Sequence, residues 1–420
     1  MEKHGTLLVG LDLCDDFSQI SCFSTVTYEP ETIQYMENQE KIPTVIGVHK
    51  DTKDWVYGEE AIRLAKEDKV VYFDHILQKV KEEKMVTIFE TDFSATALLE
   101  RFLKKVLNLL KREHLDETIL KIVVTIEDTD VNIIKGVYQA LARLGIHRNR
   151  ATVQSHSQSF VSYALSQKRE LWLNDVGLFD FNKKGLYYNQ LSINRKRKPA
   201  LVGVVPRDFT SALNLEMLKN VSEEKNAAFT FENIAKNVLH KQVVSTIYVT
   251  GEGFEGEWSV DVLKSLCIGR RVFIGQNLYS KGACYAAREA VEPKQSEEFF
   301  FAGDDIVLSE VRMQLYNDAE IKEHILLKAG QAWYETENSV DVIVDEEEEL
   351  EIILYNVIQK TEERRMIPLE GIRQKPNRTE RIRIRLRFTD LHTLVISIKE
   401  LGFGSMYPSA HRVWEKTFEI

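Results

Sequence analysis

Hydrophobic positions recur with two different periods along the chain. The apolar run at 6–13 predicts a buried strand, and 18–25, 32–36 and 42–48 predict further strands of a meander. Over 92–111, Leu98, Phe102, Val106 and the pair Leu109 and Leu110 fall on one face, as in a long amphipathic helix. Strand and helix then alternate: a strand at 122–126, a helix at 131–144 closed by Gly145, a strand at 151–154 and a helix at 158–166. A second hairpin set spans 176–181 and 186–193, followed by a helix at 231–239, a strand at 245–250 entering a glycine turn, and a helix at 260–266. This order predicts α/β sheets covered by helices. Past Pro293 the helical period fades. Val340, Val342 and Val344 alternate with other residues, 350–357 is apolar, 381–388 alternates strictly and 393–398 continues the pattern, as in a β-sandwich. Residues 292–298 are the expected linker.

The two hairpin sets share a logic. Gly10-Leu-Asp-Leu-Cys opens the first and Gly177-Leu-Phe-Asp-Phe-Asn the second, so each begins with an apolar strand that ends at an aspartate, Asp12 or Asp180. Two such halves predict two lobes with a cleft between them. A strand-end aspartate either holds Mg2+ through water, neutralising nucleotide phosphates, or caps a turn. Both readings stand at this point.

Charge narrows the partners. Across 420 residues, 55 Lys and Arg face 65 Asp and Glu, a net of −10, which disfavours nucleic acid because phosphate binding needs a concentrated basic surface. Cys14, Cys22, Cys267 and Cys284 include no pair at metal or redox spacing. Their sparse use suits a reducing compartment. The first residues lack the apolar stretch of a signal peptide, and no run is long enough to span a bilayer. A cytoplasmic protein without a membrane partner is therefore expected.

An ordered series of motifs resembles the actin and heat-shock-chaperone superfamily. Gly10-Leu-Asp-Leu-Cys-Asp-Asp-Phe-Ser resembles its first phosphate loop, and Trp55-Val-Tyr-Gly-Glu-Glu-Ala with Val71-Tyr-Phe-Asp-His-Ile the stretch that follows. Val123-Val-Thr-Ile-Glu resembles the connecting element, Leu178-Phe-Asp-Phe the second phosphate loop, Ile247-Tyr-Val-Thr-Gly-Glu-Gly-Phe the adenosine motif, and Lys281-Gly-Ala-Cys-Tyr-Ala-Ala the closing helix. The tail, with Ile367-Pro-Leu-Glu-Gly-Ile, the Arg/Ile strand and Thr393-Leu-Val-Ile-Ser-Ile-Lys, resembles the chaperones' β-sandwich substrate-binding domain, and no length remains for their helical lid. The resemblance implies an α/β, two-lobed actin-like (ribonuclease-H-like) ATPase-type domain, with lobe I at 1–175 and lobe II at 176–295, plus an antiparallel β-sandwich at 300–420. It also implies ATP or ADP with Mg2+ in the cleft and a peptide or protein on the sandwich. The cofactor-binding candidates are Asp12, Asp15, Asp180, Lys183, Lys184, Gly251 and Gly253, with Asp12 and Asp180 as water-mediated Mg2+ ligands.

The departures from that pattern carry equal weight. A phosphate cradle needs glycines so that backbone N–H groups can approach the anion. Here the second loop reads Asn182-Lys-Lys-Gly, and the first carries Cys14, Asp15 and Asp16, two extra carboxylates that repel a triphosphate unless Mg2+ intervenes. The family's catalytic lysine falls near Ile76 and its catalytic glutamate near Ser155, while the aspartate after the second loop becomes Tyr187. Only Asp12 and Asp180 remain, so weak or absent ATP hydrolysis is expected. Lys183 and Lys184 offer point charges to a phosphate or are solvated lysines on a turn. An active phosphotransferase or sugar kinase of the same superfold, and a scaffold that binds no nucleotide, remain as alternatives.

The other motifs favour bland readings. Gly251-Glu-Gly-Phe-Glu-Gly matches a dinucleotide fingerprint, but it lies late in the chain and lacks the acidic residue that should follow. Arg381, Arg383, Arg385 and Arg387 form one strand face, expected to be solvated and paired with carboxylates of the acidic hairpin around 345–351. His156 has no accompanying serine or cysteine motif and is expected to be structural. Trp258, Phe273, Tyr279 and Tyr285 are expected in the core.

Overall fold

The structure is a computed structural model. It describes residues 5–420 except 116, 294–298, 318, 346–347 and 373–377, and leaves the side chains of 221 and 222 undescribed. Most of the expected linker and part of the acidic turn thus lie outside the described residues. The chain divides into two units, Met1–Phe300 and Phe301–Ile420.

Two sheets dominate the first unit. One is built from β1 (Thr6–Leu13), β2 (Phe17–Phe23), β3 (Pro30–Thr32), β4 (Thr118–Ile126) and β5 (Ala151–Ser155), in the order β5-β4-β1-β2-β3, with the short strand Ile42–Pro43 also pairing β2. The other contains β6 (Asp175–Asn182), β7 (Gly185–Asn194), β8 (Ala200–Asp208), β9 (Val244–Thr250) and β10 (Arg271–Ile274), in the order β10-β9-β6-β7-β8. The orientations match strand for strand. An antiparallel meander of three is followed by two parallel additions on the far side of its first strand. The match extends to single residues. Asp12 lies in register with Thr125 of β4, and Asp180 with Thr250 of β9. β1 and β6 are central strands and are buried along nearly their whole length.

The helices are α1 (Gly58–Lys66), α2 (Ile76–Lys81), α3 (Ala95–Leu110), α4 (Val131–Arg143), α5 (His156–Ser166), α6 (Val221–Leu239), α7 (Val260–Leu266) and α8 (Leu278–Val291). Among the described residues none is long and apolar enough to cross a membrane. Local chemistry sets their starts. Ser94 accepts the N–H of Ala97, so α3 begins at Ala95 and residues 91–94 form a strand rather than the first turn of a helix. Asp130 caps α4 through Asn132, and Ser155 caps α5 through Gln158. α5 therefore starts at His156, two residues before the expected position. α6 is ten residues longer than its apolar period suggests, because its N-terminal half is mostly polar and contributes Ala227 to the core. That core gathers Phe179, Phe181, Phe231 and Phe254 beneath the second sheet.

α8 packs unusually close to its neighbours. A Cβ on Gly10 would strike the Ser280 carbonyl, and one on Gly282 would strike the Ser159 carbonyl, so missing side chains let α8 lie against both β1 and α5. Ala283 and Ala287 complete this contact on Val123 of β4.

The second unit holds β11 (Ser309–Asn317), β12 (Glu320–Leu327), β13 (Glu337–Val344), β14 (Glu349–Asn356), β15 (Thr361–Pro368), β16 (Glu380–Phe388), β17 (Thr393–Glu400) and β18 (Val413–Glu419). They form two four-stranded antiparallel sheets, β12-β11-β14-β15 and β13-β16-β17-β18. Ile352 and Leu354 from one sheet and Ile382, Ile384 and Ile396 from the other share one core. β16 alternates buried and exposed without a break, its arginines outward. Arg383 pairs with Asp341 through two bonds of 2.7 and 3.0 Å, and Arg385 with Glu337 at 2.6 Å. These partners lie on β13, beside β16, rather than in the acidic hairpin around 345–351 that the sequence suggests.

Candidate functional site

The C-terminal ends of parallel strands are where a sheet offers unpaired backbone and diverging loops to a ligand. In the first unit the two matched sheets bring such ends to one cavity of about 350 Å3. Asp12 and Asp180 both line it and are 2% and 7% exposed. Asp15, Lys183, Lys184 and Gly251 line it too, with Asp16, Glu127, Asp128, Glu252, Gln276, His156 and Tyr279.

Each strand-end aspartate is held by a ring. His156 Nε2 donates to Asp12 Oδ1 at 2.8 Å, and the Tyr279 hydroxyl donates to Asp180 Oδ2 at 2.7 Å. The two rings stack, with centroids 3.9 Å apart and planes 10° apart. The result is a continuous bridge, Asp12–His156–Tyr279–Asp180, between the two halves. A second cavity of about 140 Å3 shares Glu127, His156, Asp180, Asn182 and Tyr279 with the first, and includes Tyr187. His156 and Tyr279 are thus site residues that sequence reasoning assigned to structure and core. Of the other aromatics assigned to the core, Trp258 packs against Phe181, Phe231 and Phe254, whereas Phe273 is 42% exposed.

The remaining candidates have local employment. One Asp15 carboxylate accepts the N–H groups of Leu77 at 2.7 Å and Gln78 at 3.1 Å, which ties the first loop to the start of α2. Ile76, where the resemblance puts a lysine, is fully buried, and Ser155, where it puts a glutamate, is the cap of α5. Lys183 reaches Asp16 at 3.5 Å and Lys184 reaches Glu127 at 2.8 Å. Gly251 has φ +99°, and a Cβ there would enter the Phe181 backbone; a Cβ on Gly253 would enter the Phe181 ring. Gly253 is therefore a packing residue and does not line the cavity, contrary to the nucleotide-facing role expected of it. At the Gly251 end, Glu252 Oε1 and Gln276 Oε1 are buried with no hydrogen-bond partner.

Electrostatics follow from burial among carboxylates. Burial, opposed by the Tyr279 hydrogen bond and by His156, lifts Asp180 from 3.8 to about 6. Burial alone would discharge His156, yet Asp12 outweighs it and raises the imidazole above its ordinary value. Burial, with Asp12 and Asp16, pushes the Cys14 thiol well up, so it stays protonated, and it donates to Asp12 Oδ1 at 3.5 Å. Burial raises Asp15 despite its two backbone bonds. Burial works against the charge of Lys184, but Glu127 more than compensates.

The donor set bears on Mg2+ and nucleotide. Asp12 and Asp180 supply hard oxygens suited to a hydrated Mg2+. The cavity carries more carboxylates than cations, so a polyphosphate would need such an ion beside Lys183 and Lys184. The orphaned acceptors on Glu252 and Gln276 suit a ligand that presents O–H or N–H donors.

Residues 307–420 match a domain of unknown function, DUF8552. No curated protein matches the chain. Residues 29–304, more than half of the chain, match the C-terminal model of a family of unknown function, DUF5716, and the chain belongs to that family.

Proposed function

We propose that the chain is a chaperone-like binding protein of the cytoplasm, with an actin-like first unit that holds adenine nucleotide without rapid turnover and a β-sandwich that engages a peptide or protein. The observation that carries this reading is the pair Asp12 and Asp180, equivalent by strand order and register and lining one cavity. The acceptors of Glu252 and Gln276 support a nucleoside at the Gly251 end, where ribose hydroxyls or an amino group would satisfy them. Mg2+ held through water by Asp12 and Asp180 would neutralise the phosphates beside Lys183 and Lys184.

Slow turnover follows from the same geometry. His156 occupies Asp12 Oδ1 and Tyr279 occupies Asp180 Oδ2, and Glu127 is committed to Lys184. None of these three carboxylates is thereby left free as a general base for water, and the unpartnered oxygen of Glu252 lies at the Gly251 end, where this reading puts the nucleoside. On the second unit, β12 is an edge strand with Ile321 and Ile325 exposed, a surface to which an extended peptide can add by main-chain pairing.

The test is thermal unfolding with and without Mg·ATP, on wild type and Asp12→Ala, in the presence of a zinc-selective chelator. A ligand at a hundred times its dissociation constant stabilises by about 2.7 kcal/mol, and that increment should vanish in the variant. Absence of any response in the wild type would favour a scaffold. ATP-dependent phosphorylation of a metabolite would favour a kinase.

A further inference from the structure

We infer that Asp12, Cys14 and His156 form a binding site for one zinc ion. The three come from the ends of β1 and β5, the two strands that flank β4 in one sheet. Asp12 lies at the end of β1 and Cys14 two residues on, so the strand period turns both to one side while Leu13 between them is fully buried. His156 opens α5 directly after β5, and its side chain spans the end of the intervening β4 to reach Asp12 at 2.8 Å.

Their ligand atoms lie within 4.8 Å of one another. Cys14 Sγ is 3.5 Å from Asp12 Oδ1 and 3.7 Å from His156 Nε2, and the nitrogen is 2.8 Å from the carboxylate. Tetrahedral zinc with ordinary bond lengths of about 2.3 Å to sulfur and about 2.0–2.2 Å to nitrogen and oxygen separates its ligands by roughly 3.4–3.6 Å. Both sulfur separations already fit. Only the histidine–aspartate hydrogen bond must open, by about 0.6 Å on the same geometry.

The chemistry selects the ion. A thiolate and an imidazole favour zinc over Mg2+, whose preference is for oxygen alone. One thiolate, one carboxylate and one neutral imidazole balance a double positive charge. Zinc takes the thiolate and the neutral imidazole, so any proton on either group leaves as the ion enters. The stacked Tyr279 ring fixes the imidazole plane, as an outer partner does in zinc sites. Three protein ligands leave a fourth position open to the cavity, where an anionic oxygen or water can bind. The inference goes beyond nucleotide binding and does not depend on it.

The experiment uses the full chain, reduced and stripped of metal by chelation, without nucleotide. Calorimetric titration with Zn2+ should give one ion per chain, with release of protons. Co2+ should give the absorption of a four-coordinate ion with a thiolate charge-transfer band. Cys14→Ser should lose that band, His156→Gln should weaken zinc binding at least about tenfold, and Cys267→Ser, at an exposed site, should alter neither. Because a variant can misfold, a second readout uses the wild type: zinc should slow alkylation of Cys14 by iodoacetamide, measured by mass spectrometry. Failure of the wild type to take up zinc, a charge-transfer band that survives Cys14→Ser, or unchanged alkylation of Cys14 would each overturn the inference.

Discussion

Replacing Asp180 by asparagine should stabilise the protein at neutral pH and do nothing for it in acid. The carboxyl is buried and raised from 3.8 to about 6, chiefly by burial, despite the Tyr279 hydroxyl that donates to it. An acid raised on folding binds its proton more tightly in the folded state. Its stabilising influence is thus complete below the unfolded value and is lost as pH rises through the folded one. Between 3.8 and about 6 the folded chain holds the extra proton, and above that window the charge is buried at a constant cost. A difference of about 2 pH units at about 1.4 kcal/mol each gives a cost of about 3 kcal/mol. Asparagine keeps the shape and an oxygen for Tyr279 but carries no charge. The unfolding entropy is about 2.1 cal/mol/K per residue near 60 °C, so a unit of about 300 residues should gain about 5 °C in Tm. Scanning calorimetry of metal-free wild type and D180N from pH 4 to 8 measures this. The expected gain is near zero at the acid end, grows through the window and is level above it. A variant less stable than wild type at pH 8, or a gain equal at both ends, would refute the assignment of the cost to a buried charge.

Three further outcomes follow from individual contacts. Gly251→Ala places a Cβ against the Phe181 backbone at a positive φ, and should cost about 1–3 kcal/mol in chemical denaturation; a change within error would show that the turn relaxes freely. Asp15→Ala removes the acceptor for Leu77 and Gln78, so hydrogen exchange at those two amides should accelerate, with a loss of about 1 kcal/mol; unchanged exchange would mean that water replaces the carboxylate without penalty. A double-mutant cycle between Arg383 and Asp341, both on the solvated face, should give a small coupling that fades in high salt, and a large, salt-resistant one would contradict their solvated character.

Period and chain order made much of the architecture legible. The strands carrying Asp12 and Asp180 are apolar on both faces because both are central, and that signal survives without an alignment. The sandwich strand at 380–388 reads directly from its alternation. The misses have physical causes. His156 stands 144 residues from Asp12, so no spacing links them; the only local hint is Ser155, a cap that starts a helix just beyond a strand end. Tyr279 looks like one more apolar position of α8 until Gly10 and Gly282 are seen to draw that helix against β1 and α5. Gly253 reads as ligand-facing backbone, but the Phe181 ring is what requires its missing side chain, whereas Gly251 abuts the Phe181 backbone and also lines the cavity. The arginine stripe is visible in the sequence, but the densest acidic run points away from its partners, which stand on β13, where Glu337 and Asp341 are four residues apart on one strand face.

Calorimetric titration with Mg·ADP and Mg·ATP, with a zinc-selective chelator present and released phosphate assayed in the same samples, probes the cleft itself. Saturable binding of both nucleotides, lost in Asp12→Ala and without phosphate release above background, is the outcome expected of a cavity bridged by Asp12, His156, Tyr279 and Asp180. No heat from either nucleotide at millimolar concentration, or steady turnover of ATP, would contradict it.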